Sequence, residues 1–323
     1  MNDSKPPVLW ITRKLSDATM ARAQKSYEVI ANPDDGTFTA DEIITISEKV
    51  DAILPCHSEV FSKDVVAQLS ARVKIIANHS VGTDHCDLAA LKARGIVVTN
   101  TPDILSDATA ETAMLLMLGA ARRAVEGDRI VRSGSWVSWS PSFMVGRQVS
   151  GKRIGIVGMG RVGQVMARRC QGFDMEVHYY NRSRLAPDLE RGAIYHASLE
   201  SLLAVSDFLS LHCPATPQTS GLINAQTLAL LPDGAIIVNT ARGALLVEDD
   251  LIAAISSGKL AAAGLDCFAS EPGGNPQFSA FDNIFMLPHI GSATFETRDA
   301  MGFRALDNLD AFFAGREPRD RVA

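Results

Sequence analysis

Between a short apolar run at residues 152–157 and a helix-compatible stretch at 164–172 stands Gly158-Met159-Gly160-Arg161-Val162-Gly163. That order restricts the chain more than any other feature. A GxGxxG alone recurs by chance, but one pinned between strand and helix specifies a dinucleotide-binding turn. Gly158 would make the tight turn, Gly160 would let backbone approach a pyrophosphate, and Gly163 would let helix pack close to strand. Val162 lies inside the same turn. Helix N-terminal N–H groups and the helix dipole then favour the phosphates. The next apolar run, Glu176–Tyr180, should end in an acid that binds the adenosine ribose. Asn181-Arg182-Ser183-Arg184 follows instead. No carboxylate is present to repel a 2′-phosphate, and two guanidiniums can grip one. The residues therefore indicate a dinucleotide, NADPH preferred and NADH the alternative. The competing reading of Arg182 and Arg184 is a solvated turn.

Bulk properties narrow the class. With 323 residues the chain suits two domains better than one. A hydrophobic content of 46% and a net charge of −6 describe a globular protein with no footing for nucleic acid or a membrane surface. The longest apolar run, 113–121, is too short to span a bilayer, and the polar start at 1–7 lacks a signal-peptide pattern. Five scattered cysteines fit a reduced, cytoplasmic protein and not a disulfide frame. His57, His79, His85, His178, His196 and His212 lack metal-ligand spacing, so no metal is expected.

Two series of short apolar runs alternate with helical stretches. The first comprises residues 8–12, 27–31, 51–55, 74–78 and 96–100. The second starts at Arg153 and continues with Glu176–Tyr180, 208–213, Ala235–Asn239, 262–266 and 284–287. Such alternation implies parallel sheets covered on both faces. Residues 107–125 carry helical spacing and link the series, with Met114 and Met117 read as helix core. An aromatic loop follows at 136–146. A last helix, about 294–314, is stopped by Gly315 and Pro318 and is expected to return to the first domain.

Three strand ends carry unusual chemistry: Asn239-Thr240-Ala241-Arg242-Gly243, then Asp266 with Glu271, then Pro288-His289. In a doubly wound sheet the carboxyl edge is where ligands bind. Reducing a 2-oxo acid by hydride needs a cation for the carboxylate and a proton for the new hydroxyl. Arg242 suits the first need and His289 the second. Glu271 beside the imidazole would favour its charged form. Taken singly, each residue reads more simply as a surface charge or a paired polar group. Their joint order after the glycine turn favours the chemical reading.

The chain resembles the D-isomer-specific 2-hydroxyacid dehydrogenases over nearly its full length. The matching stretches are Ser80-Val81-Gly82-Thr83-Asp84-His85, Thr101-Pro102-Asp103, Thr109-Ala110-Glu111, the glycine turn, Asn239 to Gly243, Gly264 to Pro272 and Pro288 to Thr294. The resemblance implies two Rossmann-like parallel-sheet α/β domains. The nucleotide-binding domain (106–290) would be inserted in a flavodoxin-like substrate domain (1–105 and 291–323). It implies that Arg242 binds substrate, that Glu271 and His289 form the acid pair, and that the N–H groups of Val81 and Gly82 hold the substrate carboxylate. Asp266 would hold the nicotinamide end. Cys213, Pro214 and Thr240 would line the cofactor cleft, with Thr109, Arg161, Thr219, Gly291 and Ser292 completing the cofactor contacts.

Within the family the chain is most similar to the glyoxylate/hydroxypyruvate reductases, through Gly134-Ser135-Trp136-Val137-Ser138-Trp139-Ser140-Pro141 and the segment Pro288 to Thr294. That likeness implies NADPH, a small 2-oxo acid substrate and a homodimer. In animal members a Trp of the aromatic loop reaches the neighbouring subunit's active site. Phe143 stands there here, which keeps an aromatic wall and loses an indole N–H. Enzymes for lactate, 2-ketogluconate or phosphoglycerate remain the alternative. The phosphoglycerate enzymes often carry an extra regulatory domain, and only about 30 residues follow His289. A corepressor-like, cofactor-sensing binding protein is the alternative of another class.

Overall fold

The computed structural model describes residues 5–323, so most of the polar segment read for a signal peptide lies outside the described residues. Two compact units form: Met1–Leu105 with Ala293–Ala323, and Ser106–Ser292. In the first, β1 (Val8–Ile11), β2 (Glu28–Ile30), β3 (Ala52–Leu54), β4 (Ile75–Ala77) and β5 (Val97–Thr99) pair in parallel in the order β2-β1-β3-β4-β5. One face buries Trp10, Ile53 and Ile76. The other buries Leu9, Ile11 and Leu54 under Ala305, Leu306 and Leu309 of the helix Phe295–Phe313. The last helix thus joins the first hundred residues. Gly302 permits the approach, since a Cβ there would stand 2.3 Å from Thr19 Oγ1. Arg22 bridges Asp307 and Asp310 at 2.6 and 2.9 Å, and Tyr27 donates to Asp310 at 2.6 Å.

The second unit holds β6 (Arg153–Val157), β7 (Glu176–Tyr180), β8 (Ile194–His196), β9 (Phe208–Leu211), β10 (Ala235–Asn239), β11 (Leu260–Leu265) and β12 (Ile284–Met286). Their order is β12-β11-β10-β9-β6-β7-β8, again all parallel. The order reverses at β6, the strand that enters the glycine turn. Every residue of β10 is buried, as expected of a central strand covered on both faces. Ile154 and Ile156 pack under the helices Ser106–Ala121 and Arg161–Gln171. Leu209, Leu211 and Ile237 pack on the opposite face with Leu251 and Ile255 of the helix Glu248–Ser256. Met114 and Met117 are buried in the core, as their spacing predicts.

Three details differ from the expected pattern. β8 is an added strand of three residues, with only one aliphatic side chain to signal it. The helix after the glycine turn begins at Arg161 and not at Gln164. The linking helix ends at Ala121, and a second runs Ala124–Arg132 beyond a left-handed Arg123 at φ 55°. The break has a cause in the hydrogen bonding. The Ala121 carbonyl accepts the Arg147 N–H at 2.8 Å, while Arg123 turns back to Glu126. Among the described residues no helix is long and apolar enough to cross a membrane.

The helix Ser106–Ala121 lies close on β11 because Gly264 has no side chain. A Cβ there would stand 2.8 Å from Leu116 Cβ and 3.0 Å from its carbonyl oxygen. Backbone cannot rotate aside, so Gly264→Val should destabilise the fold by roughly 1–3 kcal/mol, the usual cost of overpacking. Urea unfolding with an unchanged midpoint would contradict this packing.

Candidate active site

Register brings the unit's distant segments to one row. Val157 pairs with Tyr180 and Leu211, Leu211 with Asn239, Asn239 with Leu265, and Leu265 with Met286. The chain leaves that row at Gly158, Asn181, His212, Thr240, Asp266 and Leu287. All are at carboxyl ends.

At the glycine turn the three glycines meet three constraints. Gly158 adopts φ +96°, and a Cβ would stand 2.5 Å from the Cys213 nitrogen. A Cβ on Gly163 would stand 2.3 Å from the Gly158 oxygen. Around Gly160 nothing lies within 4 Å of that position. Two glycines therefore serve packing, and the middle one leaves space. Gly160 also caps the helix Arg161–Gln171 without any side-chain hydrogen bond, so the first-turn N–H groups face a position that suits an anion. Val162 packs against the core, while Asn181 Oδ1 accepts the Met159 N–H at 2.7 Å and ties the β7 end to the turn.

Beyond β10, the buried Asn239 shapes the next loop. Its Oδ1 accepts from Ala241 N–H at 3.0 Å, and its Nδ2 donates to the Arg242 carbonyl at 2.9 Å. Gly243 touches the Phe268 carbonyl so closely that a Cβ would lie 1.9 Å from that carbon. The Arg242 Nη1 donates to Ala241 O at 2.7 Å. Thr240 Oγ1 is buried without a hydrogen-bond partner. A buried orphan hydroxyl at the same sheet edge as the glycine turn fits a polar ligand such as a dinucleotide.

Asp266 and His289 form the far end. Asp266 is 1% exposed, and its two oxygens accept the Ile290 and Gly291 N–H groups at 2.8 and 2.7 Å. Burial raises its pKa above the usual carboxylate range, and those two N–H groups oppose the rise. The clamp holds the turn in which His289 sits at φ 55°. His289 Nδ1 lies 2.6 Å from Glu271 Oε2, while Glu271 Oε1 accepts the Phe268 N–H at 2.7 Å. An ionised carboxylate only accepts, so Nδ1 carries the proton and Nε2 is the ring nitrogen outside the pair.

A model of the D-isomer specific 2-hydroxyacid dehydrogenase NAD-binding domain matches residues 114–291. Glycerate dehydrogenase of Hyphomicrobium methylovorum is 46% identical over 316 residues, 97% of this chain and 98% of that protein. The chain belongs to the D-isomer-specific 2-hydroxyacid dehydrogenase family. Glyoxylate reductase of Pyrococcus furiosus is 40% identical over 317 residues, 97% of this chain and 94% of its own. Among solved structures, NADPH-dependent glyoxylate/hydroxypyruvate reductase of Sinorhizobium meliloti, in complex with NADP and malonate, superposes with TM-score 0.87. It is 30% identical and covers 99% of this chain and 97% of that one.

The remaining expected residues of this dehydrogenase fall as follows. Thr109 is buried beside Gly291, whose added Cβ would stand 3.4 Å from Thr109 Cγ2. Thr219 accepts from Thr216 N–H and donates to Pro214 O, bracing the loop after β9. Burial pushes the Cys213 thiol up to about 11 and His212 down to about 4, so both stay neutral. Cys267 is buried, and its thiol is pushed up as well. Arg182 and Ser183 are exposed. Arg184 has its fork on Glu190, at 2.8 and 3.0 Å, a partner the sequence does not announce. In the other unit, Asn100 Nδ2 donates to Val81 O at 2.8 Å and Ser80 Oγ to Gly82 O at 2.7 Å. Both carbonyls of that loop are tied, and neither N–H donates a hydrogen bond within the described residues. Phe143 is 41% exposed, on a loop where Trp136, Val137, Trp139 and Val145 are exposed too.

Proposed function

We propose that this dehydrogenase reduces small 2-oxo acids, glyoxylate and hydroxypyruvate, to D-2-hydroxy acids, with NADPH its preferred hydride source. The observation that carries the reading is the Glu271–His289 pair, leaving the same sheet edge as the glycine turn and Arg242. The unit Ser106–Ser292 would carry the cofactor and the other unit the substrate. The nicotinamide supplies the hydride when bound. Arg242 grips the substrate carboxylate. Protonated His289 gives the Nε2 proton to the carbonyl oxygen as it becomes a hydroxyl, and Glu271 holds Nδ1–H through the transfer. The glycerate dehydrogenase relative favours one partner reading: glycerate and hydroxypyruvate are one redox pair, so the same site would run either direction.

A panel of 2-oxo acids tests the substrate class, with glyoxylate and hydroxypyruvate expected to lead. His289→Ala should lower kcat roughly 10²–10⁴-fold, as for loss of a general acid. Glu271→Gln removes the ionised acceptor that holds Nδ1–H and orients the ring, so kcat should fall while the KM for cofactor stays. An unchanged kcat would reject the pairing.

The cofactor preference rests on the strand end at Asn181, Arg182 and Ser183, where an acid would repel phosphate and none stands, while Arg184 is engaged by Glu190. The NADP held by the Sinorhizobium reductase agrees with it. Arg182→Ala should weaken NADPH by roughly ten- to a hundredfold, the loss of one charge-assisted hydrogen bond, and spare NADH. A wild-type preference for NADH would sink this reading.

A twofold homodimer completes the proposal. Trp136, Val137, Trp139, Phe143 and Val145 form an exposed apolar loop that a second copy would cover. Sedimentation of an active monomer at assay concentration would refute it.

A further inference from the structure

The turn after β7 leans on a carboxylate that the proposed mechanism does not use. Glu190 ends the short helix Pro187–Glu190 and is buried. Its Oε1 accepts from Tyr179 Oη at 2.6 Å and from Arg184 Nε at 2.8 Å, and its Oε2 accepts from Arg184 Nη2 at 3.0 Å. The Leu185 N–H donates to the Tyr179 oxygen at 3.0 Å, which fixes the chain just past Arg184. Arg184 also lies over the Tyr195 ring, 5.9 Å from its centroid. A bidentate fork is the strongest grip a carboxylate offers arginine. Hydrogen bonds from Arg184 and Tyr179 hold the Glu190 carboxyl down to about 2, so the pair stays charged at working pH. Arg182, two residues earlier, has no hydrogen bond or ion pair among the described residues. Asn181 directs its carbonyl oxygen at Met159 N–H, which leaves its amide NH₂, a donor, for a ligand.

We propose that Glu190 is a selectivity-setting positioning residue: it holds Arg184 off the cofactor's 2′-phosphate and leaves Arg182 to read that group. This rests on the reading of the turn as a phosphate seat. A phosphate that recruits the Nε–Nη2 fork of Arg184 must take it from Glu190, and the remaining Nη1 belongs to a guanidinium whose charge Glu190 already balances. Doing so strands a buried carboxylate whose remaining donor is Tyr179. The gain from a second guanidinium is therefore largely cancelled. NADH carries no 2′-phosphate and does not enter the competition. Selectivity is a difference of two affinities, so Glu190 limits the NADPH side alone.

Fluorescence titration of NADPH and NADH onto wild type, Glu190→Gln, Arg184→Ala and the double variant tests the idea by binding, apart from turnover. Glutamine keeps an oxygen for Tyr179 and removes the charge that holds Arg184. The NADPH dissociation constant should then fall roughly three- to tenfold, part of a full charge-assisted bond because Arg184 is largely exposed. The NADH constant should stay. Arg184→Ala should hardly change NADPH binding in the wild-type background, and should abolish the gain in the Glu190→Gln background. An NADPH constant that is unchanged or raised in Glu190→Gln overturns the proposal. So does a tenfold loss from Arg184→Ala alone, an arm that decides even if Glu190→Gln misfolds. The Arg182→Ala variant separates the two levels. If it weakens both cofactors equally, the phosphate reading fails and this inference falls with it. If it weakens NADPH alone while Glu190→Gln does nothing, only the role of Glu190 fails.

Discussion

Parallel pairing gives every strand of the larger sheet one sense, so all of its carboxyl ends share an edge, and the remaining chemistry depends on that constraint. Tyr180, Val157, Leu211, Asn239, Leu265 and Met286 lie on a continuous register row. Segments more than a hundred residues apart in sequence therefore emerge on one edge without long loops having to find each other. The row is stiff because both faces of the sheet are packed and its central strand is buried throughout. Asn239 extends that stiffness beyond the sheet. Its side chain fixes the Arg242 loop, and its carbonyl accepts the Asp266 N–H at 2.9 Å.

Asp266 shows what such a site costs. An aspartate with 1% exposure has lost nearly all its water, and two backbone N–H groups replace only part of it. Its folded pKa is raised accordingly, so the folded state takes up its proton more readily than the unfolded chain. Stability from this group is then lost as pH rises through the carboxylate range. What the clamp secures is the left-handed backbone of His289, a conformation that non-glycine residues hold only when their surroundings fix it. The expected contact of Asp266 with the nicotinamide end and this observed clamp concern the same carboxylate. A side chain that sets the imidazole's backbone would matter to the proposed proton transfer even without touching substrate.

Much of this architecture was legible in the residues. Short apolar runs located both sheets, because a strand covered on two faces must be apolar on both. The glycine turn was legible because each glycine answers a different steric demand, and those demands recur wherever a strand meets a helix at a pyrophosphate. Arg242, Glu271 and His289 stood out by following strand ends in order. β8 was not legible, since Ile194-Tyr195-His196 is too short to show a period. The break at Arg123 was hidden as well, because it depends on an Arg147 N–H arriving from a distant loop. Glu190 and the clamp by Asp266 are partnerships set by register and turn geometry, which spacing along the chain does not encode.

The same reasoning explains why one scaffold can serve two cofactors. Asn181 binds the glycine turn through a carbonyl oxygen, and an aspartate at that position would keep an acceptor for the Met159 N–H. The tether between β7 and the turn is thus indifferent to which residue stands there. What changes is the other half of the side chain: an amide donor in one case, a second carboxylate oxygen in the other. On the proposed reading of this turn, a 2′-phosphate would meet attraction from the first and repulsion from the second, and a ribose hydroxyl could pair with either. Cofactor choice would then be a charge decision laid over a geometry that both choices share. The pairing of Arg184 with Glu190 belongs to the same layer, because it changes the charge of the turn without moving the sheet edge beneath it.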